Sequence, residues 1–362
     1  MDQQEIDAVA EVLKSGWIGL GPKTVEFENK FAEYIGTKYA VGLNSCTSAL
    51  DLAIRVLGIK SGEVITTPIT FVSTAHAILY NNTIPVFADV YPDTLNIDPD
   101  DVRRKISKKT KAIIPVHYGG HPVEMDEIME IAEKHNLFVI EDAAHACGAE
   151  YKGKKAGSIG DLGCFSFHAV KNLATGDGGM ITTDDKKIYE HLLKLRWLGI
   201  NKDTFKRDNT RYSWNYEVEE LGYKMHMNDI AAAIGVVQLK KLDKMNASRR
   251  KIVDRYNEAF KKLDWLETPT LRKGVVSSHH NYAAKVVKGD RNDLIAHLAA
   301  KDISSGVHYT PLYLHPIYKK FGITAKCPVA DEIWKKIIIL PVFPDLGQDE
   351  MNHIINTVKT FQ

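Results

Sequence analysis

From about residue 38 the chain alternates short runs rich in β-branched apolar residues with stretches whose apolar residues return every three or four positions. Short continuous apolar runs mark buried strands, and a 3.6-residue period marks amphipathic helices. The predicted strands are 39–43, 63–66, 84–88, 112–116, 138–141, 164–167 and 179–182. Helices are predicted between them, for example over 47–57, where Leu50, Ala53 and Leu57 share a face, and over 125–135. This alternation implies an α/β fold with a mainly parallel seven-stranded sheet covered by helices. After residue 182 the pattern changes. A leucine-rich helix leads to a polar, aromatic stretch, 201–223, containing Tyr212, Trp214 and Tyr216, and then to a long helical segment through Asp229, Leu239 and Tyr256. Strand-like runs at 282–287 and 337–340 mark a smaller α+β unit, so the expected division is a large domain over 1–245 and a small C-terminal domain over 246–362.

Composition narrows the function classes. Lys and Arg total 47 against 46 Asp and Glu, so no overall cationic field draws the chain to nucleic acid or a membrane, and any anion is held locally. Cys46, Cys147, Cys164 and Cys327 are widely spaced with no CxxC pair, which argues against a disulfide framework or structural zinc and fits a reducing cytoplasm. The start, MDQQEIDAVAEVLKSG, has no apolar signal region, and the runs 230–237 and 337–340 are too short to span a bilayer. A soluble, unprocessed protein is expected.

Three places carry candidate chemistry. The stretch DLGCFSFHAVKNLATGDGGMITT, 161–183, ends a strand, places Lys171 five residues after Ser166 and continues into a glycine-rich turn. A partly desolvated lysine there has a lowered pKa and becomes a usable Schiff-base nucleophile, although a lysine read alone is equally a solvated charge. Asp142 follows the apolar run 137–141, at the carboxyl end of a predicted parallel strand, where open α/β sheets bind ligands. An acid there keeps a pyridine nitrogen protonated so that the ring accepts electrons; the structural alternative is a helix cap. Asn44, Ser45, Cys46, Thr47 and Ser48 lie between a strand and an apolar helix, where backbone N–H groups and hydroxyls suit a phosphate dianion or simply cap the helix. Ser166 can add a hydroxyl, and Phe71, His145 and Trp197 read either as core or as cofactor contacts.

In these same stretches the chain resembles a known family. GWIGLGPKTVEFE, NSCTSALDLAI, TPITFVSTAHAI, PVHYGGHPVEMD, EDAAHACGAEYKGKKAGSIGDLGCFSFHAVKNLATGDGGM and GYKMHMNDIAAAIGVVQLKKLD follow in order from about residue 16 to 245, and VHYTPLYLHPIY and ILPVFPDL continue into the small domain. Together they resemble the DegT/DnrJ/EryC1/StrS family of pyridoxal-phosphate-dependent nucleotide-sugar aminotransferases. The resemblance implies the type I aminotransferase fold and a homodimer with active sites at the subunit interface. It implies that Lys171 holds pyridoxal 5′-phosphate as a Schiff base, that Asp142 partners the pyridine nitrogen, that His145 contacts the ring and that Phe71 stacks on it. Thr47, Ser48 and Ser166 match phosphate contacts, with Cys46 beside them. The implied reaction takes an amino group from glutamate or glutamine and passes it to a keto sugar on a nucleotide, 4-keto-6-deoxy or 3-keto, for amino-sugar, surface-polysaccharide or glycoside biosynthesis. Lys171 would move the proton between substrate and cofactor. Trp17, Lys23, Arg249, Arg250, His308 and Tyr309 are the candidate sugar and diphosphate contacts.

One departure stands out. Where many relatives read GYNYRM, this chain reads Gly222, Tyr223, Lys224, Met225, His226 and Met227, so Lys224 replaces an asparagine that reaches the neighbouring subunit's cofactor phosphate. A lysine still meets a phosphate, as a point charge. Among competing readings, a sugar dehydratase of the same fold would have a histidine in place of Lys171. A non-catalytic cofactor-binding regulator gains nothing from an intact Asp142 and Lys171. A metal hydrolase on His117, His121, His145 and His168 lacks HExxH, and a nicotinamide enzyme lacks GxGxxG after the first strand, so no metal is expected.

Overall fold

The computed structural model describes residues 1–200 and 216–361, so Tyr212 and Trp214 lie outside the described residues. Two helices, α1 (Gln3–Ser15) and α2 (Pro22–Ile35), precede the sheet. The chain then runs β1 (Tyr39–Leu43), α3 (Cys46–Val56), β2 (Glu63–Thr66), α4 (Val72–Tyr80), β3 (Ile84–Phe87), α5 (Pro99–Lys105), β4 (Thr110–Ile114), α6 (Met125–His135) and β5 (Phe138–Asp142). A short hairpin of β6 (Glu150–Tyr151) and β7 (Lys154–Lys155) leads to β8 (Leu162–Ser166), β9 (Gly179–Thr183) and α7 (Lys186–Leu195). All seven expected strands form within two residues of their predicted bounds.

They make one sheet in the order β1-β9-β8-β5-β4-β2-β3. Five strands pair in parallel, whereas β9 runs antiparallel to both β1 and β8. The pleat alternates side chains between faces. Val64, Ala112, Ile114 and Ile140 therefore join α3 and α7 in one core, and their neighbours Ile65, Ile113 and Val139 join α6 in another. Burial on both faces is why these strands read as continuous apolar runs.

The long helix α8 (Asp229–Phe260) begins at Asn228, whose side chain accepts from Ala231 N. Ala232, Val236 and Leu242 pack with Phe27 and Phe167 of the large unit. From Ile252 to Phe260 the helix packs instead on β12 (Tyr282–Val286) and β13 (Ile337–Leu340), which with β10 (Leu266–Glu267) form a three-stranded sheet. The division we propose at residue 245 thus falls inside an unbroken helix that changes cores. Between β10 and β12, β11 (Val275–Val276) pairs with β6, tying the two units together. No helix among the described residues is long and apolar enough to cross a membrane.

Candidate active site

The loops after β1, β2, β5 and β8 converge beyond the carboxyl ends of the strands, where they enclose a cavity of about 340 Å³. Ligands of open α/β sheets bind at this edge. Its floor is the start of α3. Ser45 caps the helix by accepting from Ser48 N at 3.1 Å, and Ser48 Oγ donates to Asn44 Oδ1 at 2.7 Å, so the Ser48 hydroxyl serves its own turn. The N–H groups of Cys46 and Thr47 begin the helix and have no intrahelical acceptor. Both residues line the cavity, as does Ser166, and Thr47 Oγ1 lies 2.7 Å from Ser73 Oγ. A Cβ at Gly179 would come within 2.4 Å of the Ser45 carbonyl, so only glycine lets β9 pass this close beneath the loop. Free N–H groups, hydroxyls and a helix N-terminus suit a phosphate.

Asp142 ends β5 and is buried in the opposite wall. Its Oδ2 accepts from Thr74 Oγ1 at 2.8 Å and its Oδ1 from Ala144 N at 3.2 Å, while Thr70 lies 2.9 Å behind Thr74. Burial pushes the carboxyl above its ordinary pKa, against the Thr74 hydroxyl, the Ala144 N–H and the nearby Lys171 charge. A protonated ring nitrogen would find both an acceptor and an opposite charge here.

Lys171 sits in the tight turn after β8, with its backbone N–H on His168 O at 2.9 Å. Its amine lines the cavity and forms no hydrogen bond among the described residues. Burial lowers its pKa, with Cys46 and Asp142 pulling the other way. Such an amine is available to a carbonyl.

His145 occupies the wall with its ring 4.4 Å from that of His280. Burial first, then Lys171, His280 and His308, drive its pKa well down, so it is a neutral imidazole. Tyr309 Oη lies 3.4 Å from His145 Nε2, and His308 is fixed by the Tyr118 hydroxyl donating to its carbonyl. Phe71 lines the rim, 56% exposed, 6.1 Å from the Tyr309 ring.

Of the predicted positions, the fold brings Lys171, Asp142, His145, Ser166, Cys46, Thr47, Phe71, His308 and Tyr309 to one cavity. It leaves others outside it within a single chain. Trp17 donates its indole N–H to Leu20 O, Lys23 pairs with Glu26, and Lys224 lies over the Trp197 ring. Arg250 is exposed on α8. Arg249 is buried beside His280 with Nε and one terminal nitrogen unpartnered, and burial pulls its pKa down to about 10. His117 and His121 serve structural bonds to Glu141 and to the backbone at Pro122, and no three His, Cys, Asp or Glu side chains among the described residues gather to hold a metal. The sequence reading missed Ser73, Thr74, Asp177 and His280, all of which line the cavity. Thr74 was legible in TPITFVSTAHAI, three residues after Phe71; for His280, the adjacent histidines before a predicted strand were the only sign.

The cavity thus offers a phosphate cradle, an acid for a ring nitrogen and an amine for an aldehyde, which together fit pyridoxal phosphate. Comparison with known proteins agrees. Residues 1–359 match the DegT/DnrJ/EryC1/StrS aminotransferase family. The chain is 43% identical over 365 residues to the spore coat polysaccharide biosynthesis protein SpsC of Bacillus subtilis, covering 99% of this chain and 94% of that one. It is 47% identical over 364 residues to protein MJ1066 of Methanocaldococcus jannaschii, with the same coverage. The putative sugar aminotransferase Spr1654 of Streptococcus pneumoniae, solved in its PMP form, superposes with a TM-score of 0.94 at 35% identity, over 99% of this chain and 96% of that one. The chain belongs to the DegT/DnrJ/EryC1/StrS family of pyridoxal-phosphate-dependent sugar aminotransferases.

Proposed function

We propose that this enzyme transfers an amino group from glutamate or glutamine to a keto sugar carried on a nucleotide, with a 4-keto-6-deoxy sugar favoured over a 3-keto one. The carrying observation is the free, half-buried Lys171 amine sharing a cavity with the buried Asp142 carboxylate. When bound, pyridoxal phosphate supplies the sink for electrons left as a proton departs the donor's α-carbon. Cys46 and Thr47 N–H groups, with Ser166, would hold its phosphate. Asp142, kept in place by Thr74, would hold the ring nitrogen's proton. Lys171 would move the proton from the donor's α-carbon to C4′ of the cofactor in the first half-reaction, and from C4′ to the amine-bearing carbon of the sugar in the second. His145 and Phe71 would flank the ring, and His308 and Tyr309 would meet the sugar.

Arg249, just behind His280 in the wall and with only the charge of Asp345 near it, has Nε and one terminal nitrogen without a hydrogen-bond partner among the described residues, and an anionic group of the substrate reaching past His280 would neutralise it. A homodimer is part of this reading. Phe71 and Val170 line the cavity yet are 56% and 65% exposed, and Leu221 nearby in sequence to Lys224 is 85% exposed. A second copy would cover this apolar surface and bring Lys224, Trp17 and Lys23 toward the partner's cavity. The four cysteines are free and buried, as suits a cytoplasmic enzyme. SpsC, from its name a protein of polysaccharide biosynthesis, favours a role in making a surface sugar.

The test is the visible spectrum of the purified protein with glutamate or glutamine, followed by a panel of nucleotide keto sugars. Loss of the aldehyde-form band with a donor and its return with one class of keto sugar is expected. A spectrum that responds to no keto sugar contradicts the reading.

A further inference from the structure

His280 lines the cavity beside Lys171 and has no role in the reaction as derived so far. Its proton can be placed from its neighbours. Asn172 Nδ2 donates to Asn246 Oδ1 at 2.7 Å and to Ser278 O at 2.8 Å, which fixes the amide and leaves Oδ1 as an acceptor. Asn246 is oriented in turn by donating to Cys147 O at 3.0 Å. His280 Nδ1 lies 3.0 Å from Asn172 Oδ1, and an amide oxygen only accepts, so Nδ1 carries the proton. In the neutral ring Nε2 is then a bare acceptor, and it is not among the buried, partnerless atoms sealed in the wall.

The groups packed around His280 keep the ring neutral. Burial first, and then Lys171 in the turn after β8, Arg249 on α8 and His308, drive its pKa well down, and the stacked His145 is itself neutral. No acid stands among its charged neighbours in the described residues.

His145 has the opposite tautomer. Gly119 N–H donates to its Nδ1 at 3.4 Å, so Nε2 carries the proton toward Tyr309 Oη at 3.4 Å, and the Tyr309 O–H is left to donate elsewhere. The wall therefore presents an acceptor, His280 Nε2, and a donor, the Tyr309 hydroxyl, with the His145 ring next to both. A keto sugar is an α-hydroxy ketone, a carbonyl that only accepts beside a hydroxyl that donates.

We infer that His280 is a substrate-positioning residue whose Nε2 accepts a hydrogen bond from the hydroxyl next to the substrate's keto carbon, with the Tyr309 hydroxyl donating to a substrate oxygen. Asn172 acts through it by fixing the tautomer. The inference rests on the sugar reading above and names the feature of the sugar that the site selects.

The experiment compares two nucleotide keto sugars that differ only in the hydroxyl beside the keto carbon, present in one and absent in the other. Wild type should prefer the hydroxylated sugar by about tenfold in kcat/KM, the effect of one made hydrogen bond. His280→Phe keeps an aromatic ring against His145 and should lose that preference through a raised KM for the hydroxylated sugar, with KM for the amino donor unchanged. His280→Gln, whose amide oxygen accepts, should keep part of the preference. Equal decline on both sugars, or a raised donor KM, overturns the assignment.

Asn172→Asp gives a second, independent reading. A carboxylate at Nδ1 favours the imidazolium, which cannot accept, so the preference should fade as pH is lowered and return as it is raised. A preference that ignores pH in this variant overturns the tautomer argument. A wild type inert toward both sugars overturns the sugar reading together with this one, whereas a wild type active on both that is matched by His280→Phe overturns this one alone.

Discussion

Glu141 and Asp142 are adjacent on β5 and both buried, yet the pleat sends them to opposite sides of the sheet and to different fates. Glu141 accepts from His117 Nε2 at 2.9 Å, Gly157 N at 2.8 Å, Ile159 N at 2.7 Å and Gly160 N at 2.7 Å. Because Val123 N donates to His117 Nδ1, the imidazole carries its proton on Nε2 and donates that N–H to Glu141. Burial raises the Glu141 pKa, but these donors outweigh it and the net direction is down. A carboxylate has about four acceptor sites, and Glu141 has filled them. The Asp142 carboxylate accepts, among the described residues, only from Thr74 and Ala144, its net pKa is raised, and its remaining capacity faces a cavity that holds a free amine. A saturated buried carboxylate is structural, whereas one with vacant acceptor sites on a cavity wall is held for a ligand.

Lys171→Ala should have the largest effect, lowering transamination by about 10³-fold or more, since it removes the group that moves the proton, while denaturant unfolding stays close to wild type. Asp142→Asn should follow, with turnover down about 10²-fold or more and stability little changed, because the amide still fills the space but cannot keep a ring nitrogen protonated. Near-normal turnover in that variant would make Asp142 merely structural. Glu141→Gln should do the reverse. It loses about 2–3 kcal/mol of unfolding free energy as its amide faces N–H donors, and the fraction that folds keeps its turnover per site.

Stability against pH sharpens the same contrast in the cofactor-free protein. The folded pKa of Glu141 lies below its ordinary 4.5, so its contribution is present above that value and is lost as pH falls through the folded pKa. Asp142 has the opposite sign, because its folded pKa lies above 3.8 and stability is lost as pH rises from 3.8 through it. Denaturant titrations from about pH 3 to 7 should therefore show Glu141→Gln converging on wild type in acid and Asp142→Asn gaining on wild type toward neutrality. Parallel curves for the two variants would contradict the account. The smallest effect belongs to Lys23→Ala, which breaks a half-buried pair with Glu26 near the surface and should shift stability by no more than about 0.5 kcal/mol.

The proposed subunit interface can be tested by complementation. Lys171→Ala and Lys224→Glu, each expected to be inactive alone, should regain part of the activity when co-expressed, because one site of the proposed heterodimer then has its own Lys171 and an intact partner loop. Verified heterodimers that stay dead would assign each site to one chain.

What was legible in the sequence is what local pattern controls. Strands buried on both faces announce themselves as apolar runs, so Asp142 at the end of β5 and Lys171 after β8 could be placed at the ligand edge before any contact was known. Strand direction was not legible, since β9 carries the same apolar run as its neighbours but reverses over the connection 167–178. Partners distant along the chain were hidden for the same reason. Thr74 meets Asp142 across 68 residues and His280 meets Asn172 across 108, and no local period encodes either pairing. The domain boundary was blurred because α8 keeps one helical period while its apolar stripe passes from Leu242 in one core to Ile252 in another.

Lys171 is the proposed point of attachment for pyridoxal phosphate. Borohydride reduction of the holoenzyme followed by peptide mapping locates that attachment directly. A single pyridoxyl group on the peptide containing Lys171, absent from Lys171→Ala, is predicted, and a pyridoxyl group on any other lysine of the wild-type chain would contradict it.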